Sequence, residues 1–135
     1  MAEGRLIDHI PADPFSEWLG LTWSVTGDGA AETRVGLTPQ HRNALGAVHG
    51  SVMHALADTG MGAALASALP VGSLCATISM TLHHLSDTRT DVLVADSVLV
   101  HLGSRVARLE TTVRDGDGQL CARALGAFRL SRPRA

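Results

Sequence analysis

The stretch from Gly50 to Leu69 constrains the fold more than any other part of this chain. Alanine, leucine, methionine and valine dominate it, proline is absent, and Pro70 and Gly72 close it, as helix-breaking residues do. About 20 residues at 1.5 Å each make roughly 30 Å of helix. Its sides are apolar nearly all round, with Gly60 and Gly62 among many alanines, so it is expected to pack closely on several sides. The rest of the chain must supply a surface to wrap it.

That surface is legible in the change of period after Pro70. Leu74, Ala76, Ile78, Met80 and Leu82 alternate with Cys75, Thr77, Ser79 and Thr81, a half-buried strand in which Thr77 lies opposite Ile78. A valine-rich strand follows over Asp91 to His101, and Gly103-Ser104 turns the chain into Ala107, Leu109, Thr111 and Val113, alternating with charged and polar residues. Asp115-Gly-Asp-Gly118 is a hairpin turn. The last strand carries Leu120, Ala122, Ala124, Gly126, Phe128 and Leu130 on one face, and its small central residues leave a trough for a helix. The tail Ser131 to Ala135 is expected to fray.

Ahead of the helix, Asp13 as cap, Pro14 at the first position and Gly20 at the end predict a short helix over 13–20, with Phe15 and Trp18 on one face. Leu21 to Thr26 and Ala30 to Leu37 form a hairpin about Gly27-Asp28-Gly29. Runs of strands around one long helix, without alternating βα units, predict an α+β fold with an antiparallel sheet covering that helix.

With 135 residues, one domain spanning 1–135 is the simplest expectation. Hydrophobic residues make up 45% and charged residues 18% of the chain, against about 25% charged in an average globular protein. Such a small domain cannot easily bury that much apolar area, so a homo-oligomer is expected. All eleven basic residues are arginine and the net charge is −2, which gives no basic field for nucleic acid. Cys75 and Cys121 lack metal or redox spacing, and two free thiols suit a reducing compartment. The first ten residues scatter charge and form no apolar signal region, and no run reaches the roughly 18 apolar residues of a membrane span. A cytoplasmic protein is expected.

The chemistry-bearing residues crowd into Asn43 to Leu65. Asp58 sits among alanine, leucine and methionine, where burial would tune its basicity for a general base or nucleophile. Its ordinary reading is a carboxylate bonded to Thr59 or to an interface partner. His49-Gly50-Ser51 lies at the helix start, where unpaired N–H groups and the positive dipole end favour a carbonyl oxygen, unless this is simply a helix start. Gly50 and Asp58 are about 12 Å apart along one helix, too far to act on one carbon. If both act, the second comes from another copy across a twofold axis. Ser51, His54 and Asp58 share a face but lack a nucleophile elbow. His54 with Asp58, or His83 with His84, lacks the third ligand of a metal site.

The pattern Asn43-x-x-Gly46-x-x-His49-Gly50 with Asp58 eight residues after Gly50, then Thr77 and His101-x-Gly103-Ser104, resembles the hot-dog fold acyl-CoA thioesterases of the phenylacetate-pathway type over about residues 15 to 130. The resemblance implies an antiparallel sheet wrapped around one long central helix. It implies Asp58 as the carboxylate that activates water or attacks the thioester, and Gly50 N–H as oxyanion donor. Asn43 would orient substrate or water, His49 would shape the loop, and Thr77 would bond the water or carboxylate. Asn43, His49 and Gly50 would come from one subunit, Asp58 and Thr77 from its partner, in a homodimer or a homotetramer.

Coenzyme A, as part of the substrate, would contact Gly103, Ser104 and Arg105, with His84 and Leu85 as lesser contacts. Met53, Thr59, Met61 and Leu65 would line the acyl pocket, with no metal and no prosthetic group. Ser51 stands where the family usually has a second glycine, and Leu85-Ser86-Asp87 lacks a proline often found there. A small to medium or aromatic acyl-CoA is the expected substrate. The alternatives are a hot-dog hydratase or dehydratase using His54, and a non-catalytic acyl-CoA binding or sensing module.

Overall fold

A computed structural model describes residues 4–134. The chain runs α1 (Pro14–Leu19), β1 (Leu21–Gly27), β2 (Ala30–Gly36), α2 (Gly50–Ala68), β3 (Leu74–His84), β4 (Val92–Leu102), β5 (Val106–Asp115) and β6 (Leu120–Ser131), with short 3-10 turns at Leu6–His9 and Pro39–His41. The six strands form one antiparallel sheet in the order β1-β2-β4-β5-β6-β3, and α2 packs against its inner face. This is the hot-dog architecture.

The seam between helix and sheet depends on small residues placed reciprocally. A Cβ at Gly126 on β6 would lie 2.5 Å from Met61 Sδ, and one at Gly60 on α2 would lie 2.5 Å from Ser97 Oγ on β4. Each glycine makes room for the other element's side chain, which lets the helix settle at close-packed density. Hydroxyls buried in the seam are paired: Thr33 Oγ1 donates to Leu56 O at 2.9 Å, and Ser97 Oγ meets Thr111 Oγ1 at 2.7 Å.

α2 is less enclosed than its composition suggests. Leu56, Met61 and Leu65 are fully buried, but Ser51, His54 and Asp58 form an exposed stripe with half-buried Ala55, Thr59 and Gly62. One chain provides one sheet, and one sheet covers one side of a helix.

A second correction concerns β3. Its ladder with β6 slips between Thr77 and Ser79, leaving Ile78 as a bulge. The extra residue reverses the alternation, so Cys75 and Thr77 share the inner face with Met80 and Leu82. Leu74 and Ile78, which the alternation grouped with Met80, are instead exposed. The tail also begins inside the fold: Ser131 belongs to β6, and Arg132 Nη1 donates to Ser104 O at 3.2 Å. Ala135 lies outside the described residues.

Cys75 is half-buried, Cys121 is buried, and neither is in a disulfide. Burial pushes both thiols above their ordinary pKa. No helix among the described residues is long and apolar enough to cross a membrane.

The β5–β6 turn carries a pH-dependent contribution to stability. Asp115 accepts backbone N–H bonds from Arg89 at 3.0 Å, and from Asp117 and Gln119 at 2.9 Å. These bonds, Arg89 foremost, hold its carboxyl below the ordinary value. A lowered folded pKa stabilises the fold above the unfolded value of about 3.9 and stops doing so as pH falls through the folded value. Melting curves of wild type and Asp115→Asn are therefore expected to differ at neutral pH and to converge in that acidic window.

Candidate active site

The segment before α2 is a small hairpin rather than a loose connection. His49 N–H donates to His41 O at 2.8 Å and Asn43 N–H to Ala47 O at 2.8 Å, with a bridge between Arg42 and Val48. Asn43 Oδ1 accepts from Leu45 N at 3.0 Å and Ala47 N at 3.1 Å. Gly46 takes φ +86° to close the turn, a conformation that costs glycine little. Asn43 therefore shapes its own loop through its oxygen, and its amide nitrogen is the group it can offer a ligand.

His49 caps α2, its Nδ1 accepting from Ser51 N at 3.1 Å. The proton of a neutral ring then sits on Nε2. Gly50 follows as the first helical residue, where a backbone N–H has no intrahelical acceptor. The His84 ring lies directly beside it: a Cβ at Gly50 would be 3.3 Å from both Cε1 and Nε2 of His84. The His84 ring also makes an edge contact with His54, centroids 5.8 Å apart.

Two turns along α2, Asp58 lies on the exposed stripe, not in the apolar burial its sequence neighbours suggested. Its Oδ1 accepts a 2.6 Å hydrogen bond from Thr77 Oγ1. The bulge at Ile78 is what turns Thr77 toward the helix. Asp58 and Thr77 thus form one group and Asn43, His49 and Gly50 another, about 12 Å apart along the helix axis.

The expected coenzyme A contacts are divided in the same way. Thr77 lies in a row with Phe128, Ala107 and Leu102, whereas His84 pairs with Ala122 beside Val113. Six residues along β6 separate the rows, about 20 Å at 3.4 Å each. Gly103, Ser104 and Arg105 therefore sit at the Asp58 end, and His84 with Leu85 at the Gly50 end. His101, Val106 and Arg108 line a surface hollow together with that Gly103–Arg105 turn. Gly103 is required there, since a Cβ would come 2.6 Å from Val106 O.

Most of the residues expected to line the acyl pocket are enclosed in the single chain. Met53, Met61 and Leu65 are 3%, 0% and 0% exposed because they face the chain's own sheet, where they build the core. Thr59 is half-buried beside the open stripe. No hydrogen bond joins Ser51, His54 and Asp58 to one another among the described residues, and no three His, Cys, Asp or Glu side chains converge there.

Sequence reasoning missed His41. It is 7% exposed, and its ring joins Thr38 to Leu19. Thr38 and His41 have capping-box spacing, a signal that was available in the sequence.

The profile of the thioesterase superfamily matches residues 45–122. A Halobacterium salinarum protein with a provisional esterase name is 33% identical over 129 residues, covering 85% of this chain and 83% of its own. A conserved protein of Pseudomonas aeruginosa superposes with TM-score 0.83 at 28% identity, covering 88% of this chain and 94% of its own. A Bacillus halodurans protein crystallised with CoA gives TM-score 0.83 at 27% identity over 94% of this chain and 84% of its own. A mutant of the phenylacetic acid degradation protein PaaI from Thermus thermophilus gives 0.78 at 26% over 90% and 100%. With the hot-dog fold and a family match over more than half its length, the chain belongs to the thioesterase superfamily, as a thioester hydrolase.

Proposed function

We propose that this enzyme hydrolyses acyl-CoA thioesters carrying a small to medium or aromatic acyl group, at a site completed by two copies of the chain. The observation that carries the reading is the 2.6 Å bond from Thr77 Oγ1 to Asp58 Oδ1, made far from Gly50. The Thr77 hydroxyl fixes one carboxylate oxygen and leaves the other for the reaction.

Asp58 then acts as general base on water or attacks the thioester carbon itself. Gly50 N–H of the other copy holds the oxyanion of the tetrahedral intermediate. On the general-base route, collapse expels the coenzyme A thiolate, which takes the proton held by Asp58, and leaves the acid. On the nucleophilic route it expels the thiolate and leaves an acyl-Asp58 anhydride, which water cleaves to free the acid and restore the carboxylate. Asn43 orients the substrate or water, and His49 fixes the helix start. Gly103, Ser104 and Arg105 bind the coenzyme A moiety, whose phosphates suit a guanidinium, and the CoA-bound relative supports that ligand class. Asp58, Thr77 and the protein's own N–H groups suffice for this chemistry, with no cofactor invoked.

The β3 edge supports the dimer. It is 11 residues long and exposes Leu74 and Ile78, and an open, apolar edge strand is a pairing surface. Two β3 strands paired antiparallel would set the Gly50 end of one chain beside the Asp58 end of the other. Pairing of dimers into a tetramer, in the cytoplasm, completes the reading. A hydratase would want His54 beside a carboxylate, but its ring contacts His84 instead.

Thiol release measured with short, medium-chain and aromatic acyl-CoAs tests the proposal. Hydrolysis of at least one class well above background is expected. No turnover of any of them, with tight binding retained, would move the assignment to a binding module.

A further inference from the structure

The His41 ring bonds to neither group of the site, yet the loop that carries Gly50 is rooted in this residue. Its backbone carbonyl accepts the His49 N–H at 2.8 Å, the last bond before α2 begins. Its side chain anchors that root at two points. Nδ1 accepts from Thr38 N at 2.9 Å, with Thr38 Oγ1 at 3.1 Å. An imidazole nitrogen that accepts a backbone N–H carries no proton, so Nε2 bears it. Nε2 donates to Leu19 O at 2.6 Å, supplying a partner for a carbonyl in the last turn of α1.

We propose that His41 is a positioning residue that holds the Asn43–Gly50 loop, and with it the Gly50 N–H, by locking the loop to the end of α1. The proposal rests on the reading of Gly50 as the oxyanion donor. Oxyanion donors act only at about 2.7 to 3.1 Å from the developing charge. A displacement of about 1 Å costs up to a hundredfold in rate. Asn43 bonds only within the loop and cannot fix it to the body of the protein. Losing the His41 ring frees the root and leaves the Leu19 carbonyl and the Thr38 N–H without this partner.

The two anchors can be separated by substitution. His41→Gln places an amide near the Nε2 position and keeps the bond to Leu19, His41→Asn keeps the acceptor for Thr38, and His41→Ala loses both. Steady-state kinetics and residue-resolved amide hydrogen exchange are measured on all three. The alanine variant is expected to lose about 10- to 100-fold in kcat with KM within about twofold. Exchange should quicken at residues 47–50 while β5 and β6 keep their protection. Glutamine or asparagine should recover part of kcat, and these two keep the test decisive if the alanine variant fails to fold.

Unchanged exchange at residues 47–50 overturns the proposal. So does a uniform loss of protection across the sheet, which marks a purely structural residue. Faster exchange at 47–50 with kcat intact upholds the anchoring and instead defeats the reading of Gly50.

Discussion

Asp58→Asn is expected to lower kcat about a thousandfold, within the range typical of a lost general base, while leaving the fold intact. Asparagine keeps the size of the side chain and an oxygen for the Thr77 hydroxyl, and the position is exposed in the single chain. Unchanged melting with lost turnover is the signature. Thr77→Val, which removes the hydroxyl that orients the carboxylate, should lose roughly tenfold, about the worth of one hydrogen bond to a charged group. An Asp58→Asn enzyme at full rate would end the catalytic assignment.

The same variant tests the division of the site between chains. Gly50→Pro removes the proposed N–H donor at a helix position where proline is well tolerated, and His49 at ψ 132° already has the extended backbone that precedes proline. Chains carrying Gly50→Pro and Asp58→Asn are each expected to be inactive alone. Refolded as an equal mixture, half the dimers should be mixed, each with one intact site, giving back about a quarter of wild-type activity. No recovery would place both groups in one subunit's site.

Gly126→Val is expected to destabilise the protein by about 1 to 3 kcal/mol or more, the range for overpacking a filled core. The first added carbon would already lie 2.5 Å from Met61 Sδ and 3.6 Å from Phe128 Cε1, and Met61 is fully buried with no open side toward which to swing. Thermal unfolding should show the loss. Adding Met61→Ala, which empties the volume the valine needs, should restore part of it, because the two positions share one contact and couple. Equal melting temperatures for wild type and Gly126→Val would mean the helix does not sit in the β6 trough.

Much of this fold is written in local pattern. The proline-free run closed by Pro70, the period of 2 in the strands, Asp13 and Gly20 around α1, and Asp115-Gly-Asp-Gly before β6 require no knowledge of distant partners, because each depends on backbone geometry within a few residues. The trough in β6 is legible for a similar reason: consecutive inward positions hold alanine and glycine, and only an element passing close by explains their smallness. The group around Gly50 was legible too, since a helix start shows its cap and its glycine in order.

What the sequence could not determine is decided by one inserted residue and by coverage. Ile78 bulges out of the ladder, and nothing in the apolar-polar alternation distinguishes a bulged isoleucine from a regular one. Only pairing with β6 assigns Thr77 to the face of Asp58. Likewise, the apolar run around Asp58 implied burial, but a single sheet leaves one stripe of α2 open. The methionines and Leu65 face the chain's own core, because side-chain direction follows from which face of the helix the sheet happens to cover. Local chemistry thus determined the elements and their caps. The register of β3 and the uncovered stripe of α2, which join residues distant in sequence, were decided by tertiary packing alone.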